Sequence, residues 1–317
     1  MKTAFHMLMV LLLATGSTVA GELVWIEDDG TTIEPASLLA AAVSESYLGF
    51  SDDDNGPGTL LSWRNGEGNS GGPDRDAPLV TDRPDFTEAS TTVGRRVLQL
   101  EFGYTFTMDQ EPGERVRSHS AGEPLIRWGV GADWLELRLA LFPVSQRTND
   151  GSGWRSVGGT EDLYIGSKIA LTPQECHLPE TALILQATVP TGSNGFTNDD
   201  TLPGVNFIYS WEVNENVAVA GSTQANRVLD EGTGAAYIEF AQSATFALGL
   251  SDDIGMYTEW YAMFPNGADT AEVEHYLNGG FTFLLSNDVQ FDVRVGYGMS
   301  RAADDFYAGV GLSLRFQ

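Results

Sequence analysis

Cysteine is nearly absent from this chain: Cys176 stands alone in 317 residues. A single thiol makes no internal disulfide, so the fold does not rest on cystine staples. Histidine is almost as scarce, and His6, His119, His177 and His275 are widely scattered. They offer no metal-ligand spacing and no nucleophile beside a base, and the chain carries no phosphate-binding loop. Cys176 and His177 are adjacent, and neighbours on an extended chain point apart. The acidic runs Asp52–Asp54 and Asn198–Asp200 match no EF-hand calcium loop. The sequence therefore nominates no catalytic residue, no metal and no cofactor. Basic residues are few as well, with 17 Lys and Arg against 44 Asp and Glu and a formal charge of −27. Such a surface repels a phosphate backbone, which excludes nucleic acid as a partner. Beyond the N-terminus, no run approaches the roughly 20 apolar residues of a membrane helix.

What is present starts with a basic Met1-Lys2, a short apolar run over 7–14 and small residues up to Ala20. This order predicts a signal peptide cut after Ala20 and an exported protein. Residues 21–80 are acidic, Gly-rich and poor in core residues, as in Asp52-Asp53-Asp54-Asn55-Gly56-Pro57-Gly58. Such a stretch buries too little apolar surface to offset its ordering entropy, so it reads as a mostly disordered extension with a short helix over 35–47.

From 96 to 317 the pattern changes to period two. In Val97 to Phe106, Leu98, Leu100, Phe102, Tyr104 and Phe106 alternate with Gln99, Glu101, Gly103 and Thr105. At the other end, Val310, Leu312, Leu314 and Phe316 alternate with Gly309, Gly311, Ser313 and Arg315. One apolar and one polar, Gly-bearing face suits a strand between lipid and a wet lumen. The candidates are 96–107, 123–131, 134–142, 161–171, 180–190, 203–211, 217–225, 236–250, 254–264, 272–285, 289–299 and 305–316. Their connections alternate in length: 131–133, 212–216, 251–253 and 286–288 are short, whereas 143–160 and 191–202 are long and polar. Lipid tolerates only helices and closed sheets. The expectation is an all-β, transmembrane antiparallel barrel of about twelve strands in an outer membrane, with both termini on the periplasmic side. A soluble sandwich would share the alternation but not the regular loop asymmetry. Phe106, Trp128, Trp134, Phe142, Trp211, Phe264 and Phe316 fall near strand ends, as interfacial girdles do.

On the inward parity, Glu101, Arg127, Glu136, Arg138, Asp162 and Lys168 place opposite charges on neighbouring strands. An isolated charge in a poorly solvated lumen is costly, so these residues read as a charged wall that pairs internally, selects solutes, or both. Thr81-Asp82-Arg83-Pro84-Asp85-Phe86-Thr87 precedes the first strand. Asp82, Arg83 and Asp85 can meet wall charges, so 81–95 reads as a plug or latch in the periplasmic mouth.

The ordered set T-D-R-P-D-F-T, L-Q-L-E-F-G-Y-T-F, L-I-R-W-G-V, W-L-E-L-R-L, D-L-Y-I-G-S-K, V-P-T-G and G-V-G-L-S-L-R-F spans about 81 to 317. It resembles the outer-membrane family named for the MetA pathway of phenol degradation, whose members are often labelled transporters. The resemblance implies a barrel of this size and uptake of aromatic or other hydrophobic compounds. The chain departs from many such barrels in ending on Gln317, one residue past the aromatic Phe316. The expected partners are outer-membrane lipid, the barrel-assembly machinery and a small-molecule solute. A closed structural or surface-binding barrel is the alternative reading.

Overall fold

A computed structural model describes residues 57–63, 72–198 and 200–317, together with a separate two-residue strand pair, β1 (Trp25–Ile26) and β2 (Thr32–Ile33). The expected signal peptide, the short helix over 35–47 and most of the acidic extension lie outside the described residues. Residues 56–317 form one compact unit. It contains β3 (Leu98–Glu111), β4 (Glu114–Gly129), β5 (Leu135–Ala140), β6 (Pro143–Asn149), β7 (Trp154–Thr160), β8 (Leu163–Thr172), β9 (Glu180–Val189) and β10 (Leu202–Asn214). It continues with β11 (Val217–Leu229), β12 (Ala236–Ser251), β13 (Ile254–Asn266), β14 (Glu274–Ser286), β15 (Val289–Gly298) and β16 (Phe306–Phe316).

Twelve of these strands close into an antiparallel ring in chain order: β3, β4, β5 and β8 through β16. The ring shuts where Leu98 pairs with Phe316 on one side of β3 and with Trp128 on the other. Closure leaves the twelve-strand ring itself without an edge, which is what lipid demands of a sheet, and the free edge of the sheet falls on β7, outside the ring. The even count brings both ends of the ring to one rim, called the near end below.

The two faces are inverted relative to a soluble protein. The largest fully buried side chains include Arg127, Arg138, Lys168, Gln99, Glu101, Glu136 and Glu259. Phe102, Ile126, Leu137, Leu185, Phe207, Phe240, Leu277 and Val310 are exposed on the outside. A sandwich would bury the second set and wet the first. The inverted arrangement is stable only where the outer face meets hydrocarbon.

Ten of the twelve expected strands lie where the alternation puts them, within a few residues. The departures are at the far end. The expected long loop 143–160 is a hairpin, β6 with β7, in which β6 continues the line of β5 along β4. The expected loop after 107 is likewise β-structure, because β3 and β4 run on to a tight turn at Pro112-Gly113. Polarity is the reason both were read as loops: these strands outrun the apolar belt, so they lose their greasy parity but keep their ladder. His119 thus sits on β4, where its Nδ1 lies 2.7 Å from the Tyr104 hydroxyl.

Two acids organise the far-end connections. Asp230 accepts backbone N–H bonds from Asp269 and Thr270 at 2.9 and 2.6 Å, tying 230–235 to 267–273. Asp162 accepts from the N–H groups of Thr191, Gly192 and Asn198 at 3.1, 2.9 and 2.9 Å, and so holds the connection over 191–198.

Candidate functional site

The lumen is occupied by a segment that is not part of its wall. Residues 79–97 enter at the near-end rim, where the Leu79 N–H donates to the Asn287 carbonyl at 2.7 Å. They cross the interior and leave into β3, the Arg96 N–H donating to the Gly129 carbonyl at 2.9 Å. Three groups of wall side chains hold the segment.

The first group is an ion-pair cluster on β3, β4, β5 and β8. Strand alternation aims Glu101, Arg127, Glu136, Arg138 and Lys168 inward, and the register sets Arg127 opposite Arg138 and Glu136 opposite Lys168. Like charges face each other across β4 and β5, so the pairing is diagonal and through the plug. Arg127 makes a two-pronged contact to Glu136, Nε to Oε1 at 2.8 Å and Nη2 to Oε2 at 3.0 Å. It also reaches Glu101 at 3.0 Å and Asp82 at 3.1 Å. Asp82, from the plug, bonds Lys168 at 2.6 Å and is gripped by Arg138. Arg138 also pairs with Glu88 of the plug. Plug backbone completes the set: the Asp82 N–H donates to Glu101 and the Val93 N–H to Glu136, at 3.1 and 2.9 Å. Lys168 donates to the Ala89 carbonyl at 2.9 Å. All five wall residues are at most 2% exposed. Charges so buried are tolerable only when each donor and acceptor is matched. Here the matching groups come largely from the plug.

Asp162 is not in this cluster. It faces the far-end connection described above, because it lies just before the strand rather than within it. The sequence reading placed it on the wall by starting the strand at 161, whereas β8 begins at Leu163.

The second group holds Arg83. Its guanidinium lies 2.9 Å from Glu123 and 3.6 Å from Asp292 and donates to the Val310 carbonyl at 3.2 Å. The slot for it exists because the cross-strand pair Gly103 and Gly311 has no side chains there. A Cβ on Gly103 would come 2.3 Å from an Arg83 nitrogen. Glu123 reaches the lumen at a β-bulge in β4, where Gly122 and Glu123 both have positive φ. Neighbouring Arg294 donates to the Pro84 carbonyl at 2.9 Å.

The third group is centred on Glu259 of β13. This carboxylate accepts from the N–H groups of Phe86 and Thr87, both at 2.7 Å, and from the Thr87 hydroxyl at 2.6 Å. Thr245 and Asn278 of the wall supply two more donors at 2.9 and 2.8 Å. Above it the Phe86 ring stacks on Tyr261 with centroids 4.4 Å apart, and Tyr261 stacks on Tyr276 at 4.8 Å. The Tyr261 hydroxyl donates to that of Tyr307 at 3.2 Å. A column of rings therefore runs from the plug to Ala303 in the far-end connection.

Asp85 makes no ion pair among the described residues, unlike Asp82 and Arg83. It lines a cavity of ≈ 350 Å³ beside the plug, together with Pro84, Val217, Ala218, Met256 and Tyr257.

A family model described as "Putative MetA-pathway of phenol degradation" matches residues 81–316. The chain belongs to that family. Among solved structures it is similar to the COG4313 outer membrane channel from Pseudomonas putida F1. Identity there is 13% and the TM-score 0.54, over 74% of this chain and 99% of that one. It is also similar to the translocator domain of autotransporter NalP from Neisseria meningitidis (12% identity, TM-score 0.47, 69% and 88% covered). A third likeness is to the NanC porin, at 8% identity and a TM-score of 0.44, over 68% and 98%. No curated protein matches the chain. The match begins at the plug, so the family pattern takes in the segment inside the lumen as well as the wall.

Glu88, Glu123, Glu259, Asp292 and the tyrosine column were missed by the sequence reading. The signal was available for most of them: continuing the inward parity along β13 and β15 selects Glu259, Tyr261, Asp292 and Arg294. Glu123 lies on the parity of Arg127 as well, and the bulge changes the phase only beyond it, from Gly122.

Proposed function

We propose that this protein is a passive outer-membrane channel whose plug, residues 79–97, controls passage of small solutes. The carrying observation is that a ring of twelve strands, too wide to be filled by its own wall, is filled by a separate, polar-held segment. A barrel serving only as a scaffold has no need of a lumen wide enough to hold a separate segment. The plug is held by ion pairs and hydrogen bonds that water and solute can replace, with one ring stack, and not by a greasy core. Withdrawal of Phe86 uncovers the Tyr261 face, a stacking surface for flat aromatic solutes. That supports the aromatic preference suggested by the family description. The reading is of passage and not catalysis. It includes export by a leader over residues 1–20, insertion by the barrel-assembly machinery and residence among outer-membrane lipids of a Gram-negative-type cell.

The test is uptake into proteoliposomes of an aromatic carboxylate compared with a sugar of similar size. Faster aromatic entry than in empty liposomes supports the reading, and a preference over the sugar supports the aromatic class. No entry of either solute favours the closed structural or surface-binding barrel, a reading that the many ties on the plug also favour.

A further inference from the structure

The far-end hairpins carry a basic patch that the lumen does not use. On the outward face, Arg117 of β4 and Arg147 of β6 are direct cross-strand partners. Like charges directly opposite on an antiparallel pair repel. Both guanidiniums lie over one ring, that of Trp154 on β7, at 5.0 and 5.3 Å from its centroid. Neither has an acidic partner among the described residues, although acids outnumber bases 44 to 17 in the chain. Nearby arginines at the same end do: Arg155 pairs with Asp150 and Arg301 with Glu111. The Arg117 Nε is buried without a hydrogen-bond partner. With both Cζ atoms over Trp154, the Arg147 guanidinium and the Nη groups of Arg117 carry no hydrogen bond among the described residues and present the N–H donors that grip a phosphate, while the Arg117 Nε stays covered.

Height decides the ligand. Arg117 pairs with Met108, and two residues lower on the same face His119 pairs with Phe106, followed by Tyr104 opposite Ala121. The patch therefore stands directly on the rim of the lipid-facing belt, about 24 Å above the Leu98 end for ten residues at about 3.3 Å each tilted near 45°. Lipid headgroups sit at that height. We infer that Arg117, Arg147 and Trp154 bind the phosphate of a phosphorylated lipid in the surrounding outer leaflet. Its acyl chains lie along Phe106 and Tyr104, and its charge relieves the repulsion between the two arginines.

The test is lipid binding to the full-length protein in neutral detergent, followed by native mass spectrometry. Diphosphoryl lipid A, the same lipid after phosphatase treatment, and inorganic phosphate are the probes. The expected result is that only the phosphorylated lipid stays bound, and that R117Q/R147Q lowers its affinity at least tenfold. Arg301→Gln at the same end leaves it unchanged. Heat-modifiable mobility in gels checks that the double variant remains a folded barrel. Equal binding of the dephosphorylated lipid, or unchanged affinity in R117Q/R147Q, overturns the inference. Inorganic phosphate binding as tightly as the lipid overturns the lipid source. If the double variant does not fold, Arg147→Gln alone, on the added hairpin outside the ring, carries the same two outcomes.

Discussion

Glu259→Ala should loosen the plug by an amount that the geometry bounds. The carboxylate receives three bonds from the plug, from the N–H groups of Phe86 and Thr87 and from the Thr87 hydroxyl. Hydrogen bonds to a charged group are worth about 1.5–3 kcal/mol each, against about 1 kcal/mol for neutral ones. Water enters the vacated lumen and satisfies the freed donors, so the lower figure applies, about 3 kcal/mol for three. Every 1.4 kcal/mol is about tenfold in an equilibrium, so the released plug should gain over a hundredfold in relative population. Thr245 and Asn278 lose their acceptor too, but both lie on the wall and can turn to water. Glu259→Gln, which keeps one acceptor oxygen, should fall between wild type and Glu259→Ala. The assay is open probability in planar bilayers, with protease cleavage within 82–90 as a second readout. Wild-type open probability and wild-type protection in a folded Glu259→Ala barrel would refute the reasoning, because the plug at Phe86 and Thr87 would then be held by something other than this carboxylate.

Three further outcomes are expected. Arg138→Met leaves Glu88 without its cation and removes one of the cations from Asp82. Breaking a buried pair from one side costs about 3–5 kcal/mol, to be read as a lower urea midpoint, and adding Glu88→Gln should recover part of the loss. Phe86→Ala removes the half-buried ring stacked on Tyr261; the loss of about 1 kcal/mol from the ring pair, together with part of the burial of the ring, should raise proteolysis of the plug while barrel unfolding stays near wild type. Asp304, in the far-end connection 299–305, has its carboxyl pushed up to about 6 by burial and by Asp109, Glu274 and Asp305. A carboxyl raised above its ordinary value favours the docked connection when protonated, so docking is strongest in acid and weakens as pH rises from about 4 through 6. Amide exchange over 299–305 should thus be slower at pH 5 than at pH 7.5 after correction for the intrinsic rate, and Asp304→Asn should abolish that difference.

The barrel was legible because its physics is one-dimensional. Alternation along Val97–Phe106 or Gly309–Phe316 reports two different solvents on two faces, and no distant contact is needed to see it. Asp82 and Arg83 were legible for a related reason, since charges just outside a strand of inward charges have few places to go. Three-dimensional closure hid the rest. Glu123 shares the parity of Arg127 and was passed over; what the bulge hid is the phase change from Gly122 onward, which turns His119 and Arg117 to the outer face. Glu88 is an ordinary polar residue until Arg138 is brought beside it across the lumen. Residues 143–160 and 108–122 were read as loops because strands that outrun the lipid lose the polarity signal but keep their hydrogen bonds. Asp162 shows the converse error, a parity carried back past the start of its strand.

The central claim is that the lumen conducts when the segment at 79–97 moves. Thr87 and Ser243 place their hydroxyl oxygens 2.6 Å apart, one on the plug and one on β12. Thr87→Cys with Ser243→Cys, in a Cys176→Ser background free of other thiols, therefore permits a disulfide that fastens plug to wall. Single-channel recording before and after adding reductant tests the claim directly. The account predicts that the oxidised protein stays at low conductance and that reduction brings larger, more frequent steps. Identical traces in both states, with the disulfide verified by mass, would contradict it.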